Sequence, residues 1–209
     1  GERAVMSLGK IWNPRRILGV AIVLALALGW TAFRAASRYG MPLDSQGNEI
    51  GGSYRLTALG NGSVTEGDFK GSWVLMWFFD THCPRTVCGP TIKAMSDATS
   101  SLARVHIAVS PLAVTLDPYR DQAEQLQDYV LPIGHEVMPM TAAPAVVEKV
   151  AHEFHAPMEL INAPDGATYH RPAPQIVIMD PRGHYAGTVD ATISGEALAA
   201  RLQALARKS

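Results

Sequence analysis

The chain carries two cysteines, Cys83 and Cys88, both inside the stretch WFFDTHCPRTVCGP that runs from Trp77 to Pro90. Two thiols this close can form a structural disulfide, cycle as a redox dithiol, or clamp a metal ion. Four residues separate them. That gap still lets the Cα atoms approach to within about 7 Å, the range in which an S–S bond can close. A purely structural bridge here would close a very small loop, so it would remove little entropy from the unfolded chain. The redox and metal chemistries therefore stay open beside it.

The elements around the pair add to this. Trp73 to Phe79 reads WVLMWFF, a continuous apolar run of strand length, as expected for a strand buried on both faces. Pro90 opens a segment, TIKAMSDATSSLARV, with helical character. The cysteines thus sit after the carboxyl end of a central strand and at the mouth of a helix. α/β proteins place their sites at such strand ends. The partial positive charge of a helix N-terminus favours thiolate, which is both nucleophile and metal ligand.

Further along, the chain alternates strand and helix patterns. Tyr54-Arg55-Leu56 and the region of Val64 flank Gly60-Asn61-Gly62, a hairpin signal. Leu112 to Leu116 is a strand ending at Asp117-Pro118, and Leu126, Tyr129 and Val130 fall at helical spacing after Asp121. Thr141 is a candidate cap for a helix bearing Val146, Val147, Val150 and Phe154. Gln175 to Met179 and Tyr185 to Val189 form a hairpin across Pro181-Arg182-Gly183. Ser194 caps a last helix striped by Leu198, Leu202 and Leu205. This order predicts an α/β fold, a central mixed sheet flanked by helices.

The N-terminal part differs in kind. Ile17 to Phe33 is an uncharged apolar run, about 25 Å long as a helix, close to the thickness of a bilayer core. Lys10, Arg15 and Arg16 precede it, and the positive-inside rule puts that side in the cytoplasm. A cleaved signal peptide is the rival reading, but no good small-x-small cleavage site follows. The expected division is a cytoplasmic segment over 1–16, a transmembrane anchor over 17–33, a linker over 34–52 rich in Gly, Ser and Asn, and one folded domain over 53–209. The body then lies in a bacterial periplasm or an equivalent space, where disulfides persist. A formal net charge of −1 and the lack of like-charge runs give no footprint for nucleic acid.

THCPRTVCGP after an aromatic-rich strand resembles the copper-site segment of the Sco/SenC family of cytochrome oxidase assembly proteins, whose pattern is T-H-C-P-x-x-C-P. IGGSYRLTALGNGSVTEGDFKGSWVLMWFF resembles the family's opening hairpin and first core strand, LDPYRD its V-D-P-x-R-D segment, and IVIMDPRGHYAG its closing hairpin. The resemblance implies a thioredoxin-like fold, copper as the bound metal, and the copper-bearing subunit of a respiratory oxidase as partner. It implies Cys83 and Cys88 as ligands. The family's cysteines are three residues apart, and on a regular helix the extra residue would rotate the second by about 100°. The family's third ligand is a histidine whose position is Pro172 here, so the nearby His170 is the candidate. Pro174 falls where thioredoxin-like oxidoreductases often carry a cis-proline, which favours an alternative: a thiol-disulfide oxidoreductase with Cys83 attacking and Cys88 resolving. A peroxidase is disfavoured because Thr81-His82-Cys83 lacks the Thr-x-x-Cys spacing.

Other polar residues have plainer expectations. His82 belongs to the motif without being a ligand. Asp80 ends the strand, and Asp117 and Asp121 read as a turn and a helix N-cap. Met138 and Met140 are packing residues, and His152 and His155 a surface pair.

Overall fold

The structure, a computed structural model, describes residues 19, 23–25, 27, 50–58, 60, 62–163 and 166–208. Contacts divide the chain into two units, Gly1–Met41 and Pro42–Ser209. In the first, residues 19, 23–25 and 27 are helical and exposed. The anchor and linker expected over 17–33 and 34–52 lie largely outside the described residues. Among the described residues no helix is long and apolar enough to cross a membrane.

The second unit is built on a seven-stranded mixed sheet. Its strands are β1 (Arg55–Ala58), β2 (Ser63–Thr65), β3 (Trp73–Phe79), β4 (Val109–Thr115), β5 (Met138–Thr141), β8 (Gln175–Met179) and β9 (Tyr185–Asp190), in the order β2-β1-β5-β4-β3-β8-β9. β3, β4 and β5 run parallel, and both edges are finished by antiparallel hairpins, β1–β2 and β8–β9. A separate hairpin pairs β6 (Leu160–Asn162) with β7 (Thr168–His170). The helices are α1 (Arg85–Ala103), α2 (Ala123–Val130), α3 (Pro144–Glu153) and α4 (Gly195–Ala206).

Every residue of β3 is buried, as its unbroken apolar run requires for a strand covered on both faces. Alternation sends Trp77 and Phe79 to one face, where their rings stack at 5.3 Å and Phe79 meets Tyr129 of α2. Phe78 points the other way and meets Phe154 just after α3. Ser194 caps α4 by accepting the Ala197 N–H at 3.2 Å. Next to it Gly195 lets α4 lie against α1: a Cβ there would sit 2.8 Å from that of Asp97.

Three local expectations are corrected. The first helix does not open at Pro90 but at Arg85, with Pro84 as its cap, and Pro90 lies inside it. Pro84 can start the helix because an N-cap needs only its carbonyl, which accepts from Val87 and Cys88 at 2.8 and 3.0 Å. Thr141 does not cap α3; it ends β5, and Pro144 supplies a preset first turn after Ala143. Asp121 is not a helix cap either, since Gln122 precedes α2 and the Asp121 side chain turns inward.

Candidate metal and dithiol site

β3 delivers its last residue, Phe79, into the loop Asp80-Thr81-His82-Cys83-Pro84, and α1 begins immediately after. Cys83 lies on this loop and Cys88 in the first turn of α1. The rotation expected on a regular helix therefore does not apply, because only the second cysteine is helical. The two are joined as a disulfide with Cα atoms 6.1 Å apart. Both are buried, Cys83 at 2% and Cys88 at 0% exposure. The Tyr129 hydroxyl donates to the Cys83 carbonyl at 2.7 Å, and the Arg85 guanidinium lies 5.2 Å over the Tyr129 ring. Burial pushes the Tyr129 phenol up to about 12, helped by the Asp80 and Asp121 carboxylates and opposed by Arg85, so the hydroxyl keeps its proton and remains a donor.

Two fully buried carboxylates hold the loop. Asp121 comes from the segment after β4; its carboxylate accepts from the Thr81 N–H at 3.0 Å, from the Thr81 hydroxyl, and from the Thr115 hydroxyl at 2.6 Å. These donors claim the side chain that was expected to cap α2. Burial raises the Asp121 carboxyl above its ordinary range; its hydrogen bonds only partly offset this, and the nearby Asp80 charge adds to it. His82 sits at the rim, half-exposed, with Nδ1 3.7 Å from Asp121 Oδ1.

Asp80 is the second. Its Oδ1 accepts the N–H groups of His82 and Cys83 at 2.9 and 3.1 Å. Its Oδ2 accepts the His170 N–H at 2.5 Å and lies 3.0 Å from His170 Nδ1. His170 is thus not a solvated loop residue. It ends β7, its side chain is 13% exposed, and it hangs on the same carboxylate as Cys83. Asp117 Oδ2 lies 4.0 Å from His170 Nδ1 and is hydrogen-bonded by Arg120 Nε. Burial pushes the Asp117 carboxyl up, but hydrogen bonds from Arg120 and the charges of Arg120 and His170 bring it below the usual range. Arg120 also donates to the Thr168 carbonyl of β7 at 3.1 Å.

Among the described residues, Asp80, Asp117 and His170 are the group of three whose ligand atoms lie within 4.8 Å of one another. Neither sulfur belongs to it. Arg120 already serves as the cation there, bonded to Asp117 and 3.8 Å from Asp80 Oδ2. Met140 is buried and Met138 partly so, and His152 and His155 are exposed, all as expected; His106, His135 and His184 are exposed too. No peptide bond is cis among the described residues, so Pro174 is trans. Asp80 and the β6–β7 hairpin are what the sequence reading missed.

A buried dithiol loop at the carboxyl end of a central parallel strand, opening a helix, defines a thioredoxin-like protein. The SCO1/SenC family model matches residues 43–207, and the chain belongs to that family. It is 32% identical over 126 residues to Protein SCO1 homolog 2, mitochondrial, of Arabidopsis thaliana, covering 59% of this chain and 45% of that protein. The chain spans less than half the length of the curated plant and human relatives it matches. Among solved structures, it superposes on Arabidopsis thaliana ScoI with copper bound at TM-score 0.67, 22% identity, covering 77% of this chain and 99% of that one. Bradyrhizobium japonicum ScoI with copper bound gives 0.65, 24%, 75% and 99%. BsSco, described as having a disulfide switch and as a member of the Sco family of cytochrome c oxidase assembly proteins, gives 0.59, 18%, 81% and 98%.

Proposed function

We propose that this chain is a membrane-anchored copper chaperone, its folded domain in the periplasm, that supplies the copper centre of a respiratory haem-copper oxidase. The observation that carries the reading is the convergence on Asp80: one carboxylate holds both the loop of Cys83 and the ring of His170. The donor set fits a soft ion. Two thiolates select Cu(I), an imidazole completes three-coordination, and zinc would ask for a fourth ligand. In the disulfide form neither sulfur is a thiolate. Loading therefore follows two-electron, two-proton reduction of the S–S bond to two thiols by an external dithiol, after which Cu(I) displaces the thiol protons. The copper-bound relatives, and the oxidase-assembly role stated for the BsSco family, support the assignment of cargo and destination.

The closed pair favours a second reading, a thiol-disulfide oxidoreductase in which Cys83 attacks and Cys88 resolves. One experiment separates them. The full chain in mild detergent is reduced, given Cu(I) without oxygen, and its bound metal counted in wild type and His170→Ala. One tightly held copper, weakened in the variant, is the chaperone result. No bound copper, with turnover of protein disulfides, is the oxidoreductase result.

A further inference from the structure

The geometry points to Asp80 as the positioning residue that sets the proton on the His170 ring, leaving Nε2 as the atom that histidine offers to a soft metal ion. This rests on the copper reading of the site. An ionised carboxylate is an acceptor only, with about four lone-pair sites. Asp80 has three backbone N–H partners, His82 and Cys83 on Oδ1 and His170 on Oδ2, and the ring nitrogen Nδ1 of His170 lies 3.0 Å from Oδ2. Because Oδ2 cannot donate, Nδ1 must carry the hydrogen that lies between them. Asp117 Oδ2, 4.0 Å from Nδ1, is a second carboxylate oxygen on the same side, itself paired with Arg120. In the neutral ring the lone pair is then on Nε2, which has no hydrogen-bond partner among the described residues. Carboxylates that orient a metal-binding histidine through its other nitrogen do this work elsewhere, and they also make the ligand more basic.

Asp80 goes further than an ordinary partner of this type. It is fully buried, and it fixes the loop of one thiol and the ring of the histidine with the same side chain. Asp80→Asn tests that arrangement with almost no change of shape. Its amide NH2 must face one of the two donor pairs. Facing His82 and Cys83, it would oppose two backbone N–H groups, of which only that of Cys83 has a second acceptor, the Asp80 carbonyl at 3.2 Å. Facing His170, it would oppose one backbone N–H, and the ring can meet it by surrendering its Nδ1 hydrogen and taking one at Nε2. The variant is therefore expected to switch the tautomer and block the ligand atom.

The readout is long-range proton–nitrogen NMR of the full chain in detergent, with nitrogen-15 histidine, reduced and metal-free at about pH 8.5, where ordinary imidazole is neutral. His170→Gln assigns the signals. Wild type is expected to show hydrogen on Nδ1 of His170, and Asp80→Asn to show it on Nε2, with Cu(I) affinity down about 10- to 100-fold. A wild-type ring protonated at Nε2, or at both nitrogens, overturns the assignment, as does an Asp80→Asn protein that keeps the wild-type tautomer. If the variant does not fold, the wild-type spectrum decides alone. The tautomer is read without copper, so a chain that binds no copper sinks the proposed function and leaves this result standing.

Discussion

β3 and β8 lie side by side and antiparallel, and each is followed at once by an aspartate. Asp80 and Asp180 therefore mark opposite ends of the sheet. Asp180 spends itself on its own turn: Oδ1 accepts from Arg182 and His184 at 2.8 and 2.9 Å, two and four residues on. Partial burial pushes its carboxyl up, but the His184 and Arg182 hydrogen bonds and charges leave it below the ordinary range. Asp80 does the same local task with one oxygen, for His82 and Cys83. Its other oxygen reaches His170, ninety residues away in sequence. Two aspartates after two strands begin as the same device. The difference between a turn and a site is whether a distant segment claims the second oxygen.

The sharpest way to break that comparison is truncation at both ends. Asp80→Ala removes the side-chain acceptor of three backbone N–H groups and the partner of the His170 ring in a buried setting, and stability should fall by about 3–5 kcal/mol. Urea unfolding of the oxidised protein measures it; a loss no greater than that of Asp180→Ala would erase the contrast.

An intermediate effect is expected from Thr115→Val. Thr115 donates to Asp121 and accepts from the Asp117 N–H, so the loss should be about 1–3 kcal/mol. It also carries a sign. The raised Asp121 carboxyl contributes stability below its unfolded value, lost as pH rises through its folded value. The lowered Asp117 carboxyl contributes above its unfolded value, lost as pH falls through its folded one. Because the missing hydroxyl solvates the ionised form of Asp121, the variant should titrate Asp121 higher still. It should also be most destabilised on the alkaline side of that titration. Carbon-13 carboxyl titration and unfolding curves at several pH values check both. The smallest effect belongs to Asp180→Ala, below about 1 kcal/mol, since its lost acceptor serves a turn that water can reach.

Much of the scaffold was legible. The buried run of β3, the β8–β9 hairpin and the Ser194 cap follow from strong local signals that packing has no reason to override. The cysteine pair was legible from its own spacing and position and His170 through the family resemblance, and the structure hangs the loop of Cys83 and the ring of His170 on one carboxylate. What escaped was non-local. β6 and β7 are three residues each, too short for any periodicity to show. Asp121 reads as a cap because the competing donors, Thr81 and Thr115, come from other segments. Asp80 reads as a strand end because its decisive partner lies at the end of β7.

The near-complete enclosure of both sulfurs has a kinetic corollary. A reductant cannot strike a bond it does not touch, so the buried pair must first be exposed by a local opening of its surroundings. The pace of activation is then governed by how often that gate opens, and a docking partner that pries it open would be rewarded with speed, whatever its own electron-donating strength.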